Sequence, residues 1–220
     1  MDGSLVSDEL DQELVVRLDD VGHFFQPGQW LFRGLNVEFP GGVIIGIAGP
    51  SGSGKSTLLS IVAGWEKPRT GSVVVVRAAS IRWVFQNPFG IPRRSAIDHV
   101  ALAFLARGRS RKAATERAHQ LLADFGLAGR ADAPFAALSG GEAQRLMLAR
   151  AVAGEPNVIL VDEPTAQLDR ANAATVNAVL SSLAARGAAV VVASHDAETL
   201  RACDQVVDLA ICVEGQDALS

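Results

Sequence analysis

The stretch Val43–Val62, VIIGIAGPSGSGKSTLLSIV, holds the strongest local signal in the chain. It opens on Val43-Ile44-Ile45-Gly46-Ile47-Ala48, an apolar, largely β-branched run with the character of a buried parallel strand. Gly49-Pro50-Ser51-Gly52-Ser53-Gly54-Lys55-Ser56 follows and fits G-x-x-x-x-G-K-[ST], the phosphate-binding loop. Ser56, Thr57 and the residues up to Val62 then read as a helix, stopped by Gly64. Glycines 49, 52 and 54 let the backbone curl round a phosphate chain with successive N–H groups pointing inward. The helix that follows turns its positive end toward the same anion. Lys55 offers a point charge to the β- and γ-phosphates, and the Ser56 hydroxyl can take a place on Mg²⁺. The stretch predicts a nucleoside triphosphate as ligand.

Composition bounds the rest. At 220 residues the chain fits one domain with room for an inserted lobe. It is 49% hydrophobic with only 5% aromatics, an aliphatic composition that can fill a large core. No apolar run approaches the ~18 residues of a membrane helix, and no secretory segment is recognisable ahead of the domain. The expected location is therefore the cytoplasm, peripheral on the inner face of a membrane that another protein spans. A net charge of −4 argues against nucleic acid as the partner. Cys203 and Cys212 lack metal-type spacing and read as reduced thiols.

Residues 1–13 carry five acids and little periodicity, which predicts a flexible acidic tail. Leu14–Val21 and the alternating Leu31, Leu35, Val37 and Phe39 predict two strands around the turn Gln26-Pro27-Gly28-Gln29. Val73–Val76 and Ile81–Phe85 are further strand candidates. From Asn87 to Ala137 no strand signal occurs. Ser95 caps one helical pattern there, and Lys112–Phe125 forms another. Leu138-Ser139-Gly140-Gly141-Glu142 opens a long helix to Ala153, closed by Gly154. Val158–Val161 and Val190–Ala193 read as buried strands, with an amphipathic helix between them on Val176, Val179, Leu180 and Leu183. The boundaries are a single domain over 14–210, a helical lobe at about 87–154 within it, and a C-terminal tail at 211–220.

In an open α/β sheet, ligands collect at the carboxyl ends of the strands. Three predicted strands end there in polar chemistry: Gly49–Ser56, Asp162-Glu163 and Ser194-His195. Asp162, after four apolar residues, suits a Mg²⁺ ligand of the Walker B type. Glu163 is placed to act as general base on a water in line with the γ-phosphate.

Leu138-Ser139-Gly140-Gly141-Glu142-Ala143-Gln144-Arg145, upstream of VILVDEPT, resembles the signature of the ATP-binding cassette (ABC) transporter ATPases. With the phosphate loop, the resemblance covers about Leu14 to Leu209 in the family's order. It implies an α/β fold: a P-loop NTPase core with a mostly parallel sheet, an N-terminal antiparallel β-subdomain and an inserted α-helical lobe. It further implies ATP and Mg²⁺ as ligands, hydrolysis as the activity, and a dimer of two cassettes driving a separate transmembrane permease. By resemblance, Gln86 is the Q-loop glutamine near Mg²⁺ and γ-phosphate. Ser139, Gly140, Gly141 and Glu142 face ATP held by a second subunit, which is either an identical chain or a different cassette. Asp169 ends the D-loop, and His195 is the switch histidine. The family stacks an aromatic ring, often tyrosine, on adenine. This chain has no Tyr, so Phe25 is the first candidate and Phe24 the second.

Three features depart from the family pattern. The D-loop reads Ala166-Gln167-Leu168-Asp169, where Ser-Ala-Leu-Asp is more usual. The segment from Lys55 to Gln86 is short, which implies a trimmed β-subdomain. Ala133–Ala137 lacks the acidic, Gly-containing loop of many exporters fused to their membrane domains. The compact layout is most similar to the lipoprotein-release, macrolide-efflux and cell-division ATPases. Permease docking is expected around Gln86–Val100, with Arg93 and Arg94 as contacts. A non-transport cassette regulating a membrane complex is the alternative, and a P-loop kinase the distant third. Substrate and direction of transport are properties of the membrane partner, which this sequence does not contain.

Overall fold

A computed structural model describes residues 14–76, 80–166, 168 and 170–210. The acidic stretch 1–13, the tail 211–220 with Cys212, and the D-loop residues Gln167 and Asp169 lie outside the described residues.

The chain begins with a hairpin, β1 (Leu14–Phe24) against β2 (Trp30–Pro40), closed at Gln29 N–H to Gln26 O, 3.0 Å. Gly42, at φ 83°, turns into β3 (Ile44–Ala48), and the phosphate loop leads into α1 (Lys55–Val62). β4 (Thr70–Val75) and β5 (Ile81–Val84) follow. Helices α2 (Ala96–Ala106), α3 (Arg111–Asp124) and α4 (Gly140–Ala153) come next. The last elements are β6 (Val158–Asp162), α5 (Arg170–Ala184), β7 (Ala189–Ala193), α6 (Ala197–Arg201) and β8 (Gln205–Asp208).

Two sheets form. The larger has five parallel strands in the order β5-β6-β7-β3-β8. Its central strands β6 and β7 are buried at every residue, the pattern of a sheet covered on both faces. Along them the side chains alternate between two cores. Ile45, Ile47, Val158, Leu160 and Val191 pack with α1 and the hairpin, while Ile44, Ile159, Val161, Val190 and Val192 pack with α2 to α5.

The smaller sheet is antiparallel, in the order β2-β1-β4. Its third strand comes from beyond α1, so this layer is assembled from both sides of the phosphate loop rather than from the N-terminus alone. Gly71 permits the junction. It sits at φ 75°, and a Cβ there would strike the carbonyl oxygens of Asp19 and Asp20.

Two features differ from the sequence expectation. Gly154 closes α4 in the ordinary right-handed conformation, φ −75°, and the left-handed position falls to Glu155, φ 44°. A Cβ at 154 would stand 3.1 Å from both Ala151 O and Arg82 Nε, so what favours glycine there is close packing rather than φ. The second departure is α6 with β8, which no sequence pattern announces. They are fixed by long-range bonds such as Ile44 N–H to Asp204 Oδ2, 2.8 Å.

Candidate active site

β3, β6 and β7 are neighbours, so their carboxyl ends deliver the phosphate loop, Asp162-Glu163 and Ser194-His195 to one edge of the sheet. In the loop, Gly49, Gly52 and Gly54 have φ of 147°, 83° and 96°. Gly54 is also the N-cap of α1 and offers no side-chain cap, so the first N–H groups of the helix remain available to a ligand. Its Cβ would lie 3.0 Å from the Phe32 ring and 3.1 Å from Leu31 Cβ. A side chain there would push β2 off the loop.

Lys55 is only 8% exposed. Its Nζ curls back to donate to Gly49 O at 2.8 Å and Pro50 O at 3.1 Å, and it stands 3.8 Å from Glu163 Oε1. The ammonium group thus spans the concave side of the loop, where a polyphosphate would exchange carbonyl partners for anionic oxygens. Ser53 Oγ is buried without a hydrogen-bond partner among the described residues, a second donor in the loop left for a ligand.

Asp162 is buried at the end of β6. Burial pushes its carboxyl up from the usual range. A hydrogen bond from Ser56 opposes that shift, the neighbouring Glu163 adds to it, and Lys55 opposes it. Ser56 and Asp162 form an all-oxygen pair beside the phosphate loop. That donor set suits Mg²⁺, which takes one or two protein oxygens and completes its shell with phosphate and water.

Glu163 occupies the left-handed region, φ 49°, uncommon for a residue other than glycine. Its own N–H donates to Ala193 O at 2.8 Å, which ties the turn to β7. Its carboxylate accepts from His195 Nδ1 at 2.8 Å on Oε1 and from Ser194 Oγ at 3.3 Å on Oε2. His195 is 66% exposed at its side chain, so its other ring nitrogen is free to meet a ligand from solvent. A carboxylate oriented by two donors, near the Lys55 ammonium and beside a second acid, can take a proton from a positioned water.

Lys55, Ser56, Asp162, Glu163 and His195 are brought together. Ser139 to Glu142 are not part of that cluster. Ser139 caps α4 in a full capping box, its Oγ accepting from Glu142 N at 3.2 Å while Glu142 Oε2 accepts from Ser139 N at 2.8 Å. That backbone bond and the nearby Arg130, 3.1 Å away, hold the Glu142 carboxyl below its usual range. The box leaves Ser139, Gly140 and the start of α4 facing solvent.

Gln86 is exposed just past β5. The carbonyl of Phe85 beside it accepts from Gln144 Nε2 at 3.4 Å, a link from signature helix to Q-loop that no motif disclosed. Ser194 was legible only as the residue before His195. For the aromatic position, Phe25 is 63% exposed and its ring meets only the edge of His23, while Phe24 packs on Trp30 and under Arg69. Phe25 is the ring free to stack on a base.

Residues 32–166 match the family model described as ABC transporter. The lipoprotein-releasing system ATP-binding protein of Caulobacter vibrioides is 36% identical over 195 residues, spanning 81% of this chain and 86% of that protein. The aliphatic sulfonates import ATP-binding protein of a Mycobacterium species is 41% identical over 184 residues, 83% of this chain and 74% of that protein. Among solved structures, a dimeric ATP-binding cassette in a post-hydrolysis state with ADP and Pi superposes with a TM-score of 0.78 at 30% identity. It covers 88% of this chain and 93% of its own.

Proposed function

The chain belongs to the ABC transporter family as an ATP-hydrolysing subunit, and from that premise we propose how its residues divide the work. Lys55 and the N–H groups of 49 and 51–57 bind the phosphates of ATP, Pro50 having none. Ser56 and Asp162 hold Mg²⁺, with Gln86 adjoining it, and the ion when bound neutralises charge on the β- and γ-phosphates. Glu163 accepts the proton of the attacking water, oriented by His195 and Ser194. Phe25 stacks on the adenine. Ser139, Gly140, Gly141 and Glu142 complete the site of a partner cassette, and Asp169 crosses the interface between them.

The observation that carries this reading is the Lys55–Glu163–His195 chain, 3.8 and 2.8 Å long, at the ends of adjacent parallel strands. Glu163→Gln tests it. The substitution keeps the size and hydrogen-bonding reach of the side chain but removes the base, so turnover should fall by roughly 10²–10⁴. ATP binding should persist, and light scattering should find a nucleotide-bound dimer that the parent protein shows only transiently. Full hydrolysis by the variant would refute the assignment of Glu163.

The permease docks on the surface that follows β5. Phe89 is 82% exposed and Ile91 49%, next to the exposed Arg93. Trp65, Trp83 and Phe85 form an aromatic cluster in which Trp65 and Phe85 are exposed. Alanine at Phe89, Ile91 and Arg93 should uncouple transport and spare basal ATPase. Gly90 is left out because a Cβ there would run into the Phe135 ring. Placement on the inner face of a membrane follows from such a partner, since no helix among the described residues is long and apolar enough to cross one. A lipoprotein-releasing and a sulfonate-import relative resemble this chain to a similar degree. The shared cassette therefore powers the cycle and the permease chooses the cargo.

A further inference from the structure

On the opposite edge of the sheet from the nucleotide, a groove of about 480 Å³ runs between α3 and α5. Its apolar surface comes from Phe104, Leu121 and Phe125 along α2 and α3 and from Val152, Val179 and Leu183 of α4 and α5, interrupted by Gln120, Thr175 and Ser182. The volume falls within the range of small-molecule sites. None of the nucleotide chemistry above uses it.

The charges on its rim are not evenly placed. Arg107 donates to Gly154 O and pairs with Glu155, and Ala189 N–H bonds Asn157 O. The loop before α3, the turn after α4 and the end of α5 therefore meet at one end of the groove. Arg117, on the amino-terminal half of α3, and Arg186, just past α5, line that end. Neither has an ion-pair partner among the described residues. Glu155, an acid that also lines the groove, is already paired with Arg107. Asp124 lies seven residues beyond Arg117 on the same helix, about 10 Å along its axis, and marks the opposite end.

We propose that this groove is a binding site for an anionic amphiphile. Arg117 and Arg186 hold a carboxylate head, and the apolar walls take a single alkyl chain laid toward Asp124. Charge complementarity selects the head: two unpaired guanidinium groups favour a carboxylate and oppose an ammonium. The apolar lining selects the tail, because polar ligands would leave that surface uncompensated.

The test is calorimetric titration of the full chain with decanoate, decyltrimethylammonium and decanol. Decanoate should bind once per chain, at least about tenfold more tightly than the other two. Arg117→Ala with Arg186→Ala should weaken decanoate by about tenfold or more and leave decanol unchanged. Ala178→Trp, which fills the groove from an exposed helix position, should remove binding. Basal ATPase should be kept in every variant, which separates this site from the nucleotide site and confirms folding. Equal affinity for the cationic amphiphile would overturn the proposal. So would indifference to the arginine and Ala178 substitutions, loss of binding with Trp65→Ala instead, or no binding at all.

Discussion

Ser139→Ala separates two things one serine does. Within the chain, its Oγ accepts one bond, from Glu142 N at 3.2 Å; the reciprocal bond, from Ser139 N to the Glu142 carboxylate, needs only the backbone of residue 139 and survives. Loss of an N-cap of this kind costs about 1 kcal/mol. For a chain of this size that lowers Tm by roughly 2–4 °C, small against a stability of about 5–15 kcal/mol. Between chains, the proposed function sets the same hydroxyl against the phosphate of a partner's ATP. A hydrogen bond to a charged group contributes about 1.5–3 kcal/mol. A symmetric dimer contains the contact twice, so Ser139→Ala should weaken association by about 3–6 kcal/mol, or roughly 10²–10⁴-fold. The assay places the substitution in a Glu163→Gln background and measures ATP affinity by calorimetry, dimerisation by light scattering and Tm by melting. ATP affinity of the monomer should be unchanged, Tm slightly lower and the dimer lost. An intact dimer would refute the role across the interface. Equal loss of ATP affinity would mean that the serine acts within its own site.

Three further substitutions probe the remaining parts. Asp162→Asn removes a buried charge whose carboxyl burial already disfavours, so the nucleotide-free protein should melt higher than the parent while Mg²⁺-dependent hydrolysis disappears; a lower Tm would contradict the desolvation account. Phe25→Ala should raise the Kd for ATP by about 1–3 kcal/mol with little change in Tm, whereas Phe24→Ala should lower Tm and leave ATP binding intact, and the reverse pattern would reassign the adenine platform. His99 donates from Nδ1 to Ser95 O at 2.8 Å and accepts from Ile91 N at 3.0 Å on Nε2, so the ring is held neutral, and burial lowers its pKa. The stability it contributes is present above the unfolded value of about 6.5 and is lost as pH falls through the folded value. Exchange protection of the Ile91 amide should drop in the same window, and a protection profile flat from pH 7 to 5 would refute this.

Much of the site was legible because its chemistry is local. A phosphate loop needs glycine at particular backbone angles and lysine at a fixed offset, and Gly54, Lys55 and Ser56 declare that in eight residues. Ser95 and Ser139 announce their helices in the same way, since a cap is decided by the residue and the three after it. What stayed hidden depends on partners far along the chain. β4 joins the hairpin through Arg69 N–H to Gly22 O at 2.8 Å and the pairing of Gly22 with Thr70. β8 spans four residues and owes its place to β3. Val73–Val76 reads as a strand in the sequence but its pairing with β1 does not, and β8 is too short to carry a periodic pattern; the place of both is made by tertiary contact. The exposure of Phe25 and the burial of the Phe24 face were likewise undecidable from two adjacent phenylalanines.

The positive φ of Glu163 belongs to a pattern in how the nucleotide edge is built. A non-glycine residue in the left-handed region costs of order 1–3 kcal/mol, and Asp162 beside it is an acid made unfavourable by burial. Lys55 is folded onto carbonyl oxygens, and Ser53 Oγ is buried without a partner. Each is a local violation of what would stabilise the empty fold, and all four lie at the ends of β3 and β6. The opposite edge has a left-handed residue of its own, Glu155 at φ 44°, but there the side chain is paired with Arg107. Those at the nucleotide edge are ones a polyphosphate with its cation would relieve: anionic oxygens for Lys55 and Ser53, and a positive charge for Asp162. ATP therefore acts on this fold as a missing structural part, and the stability it adds should rise as RT ln(1 + [L]/Kd), about 2.7 kcal/mol at a hundredfold excess over Kd.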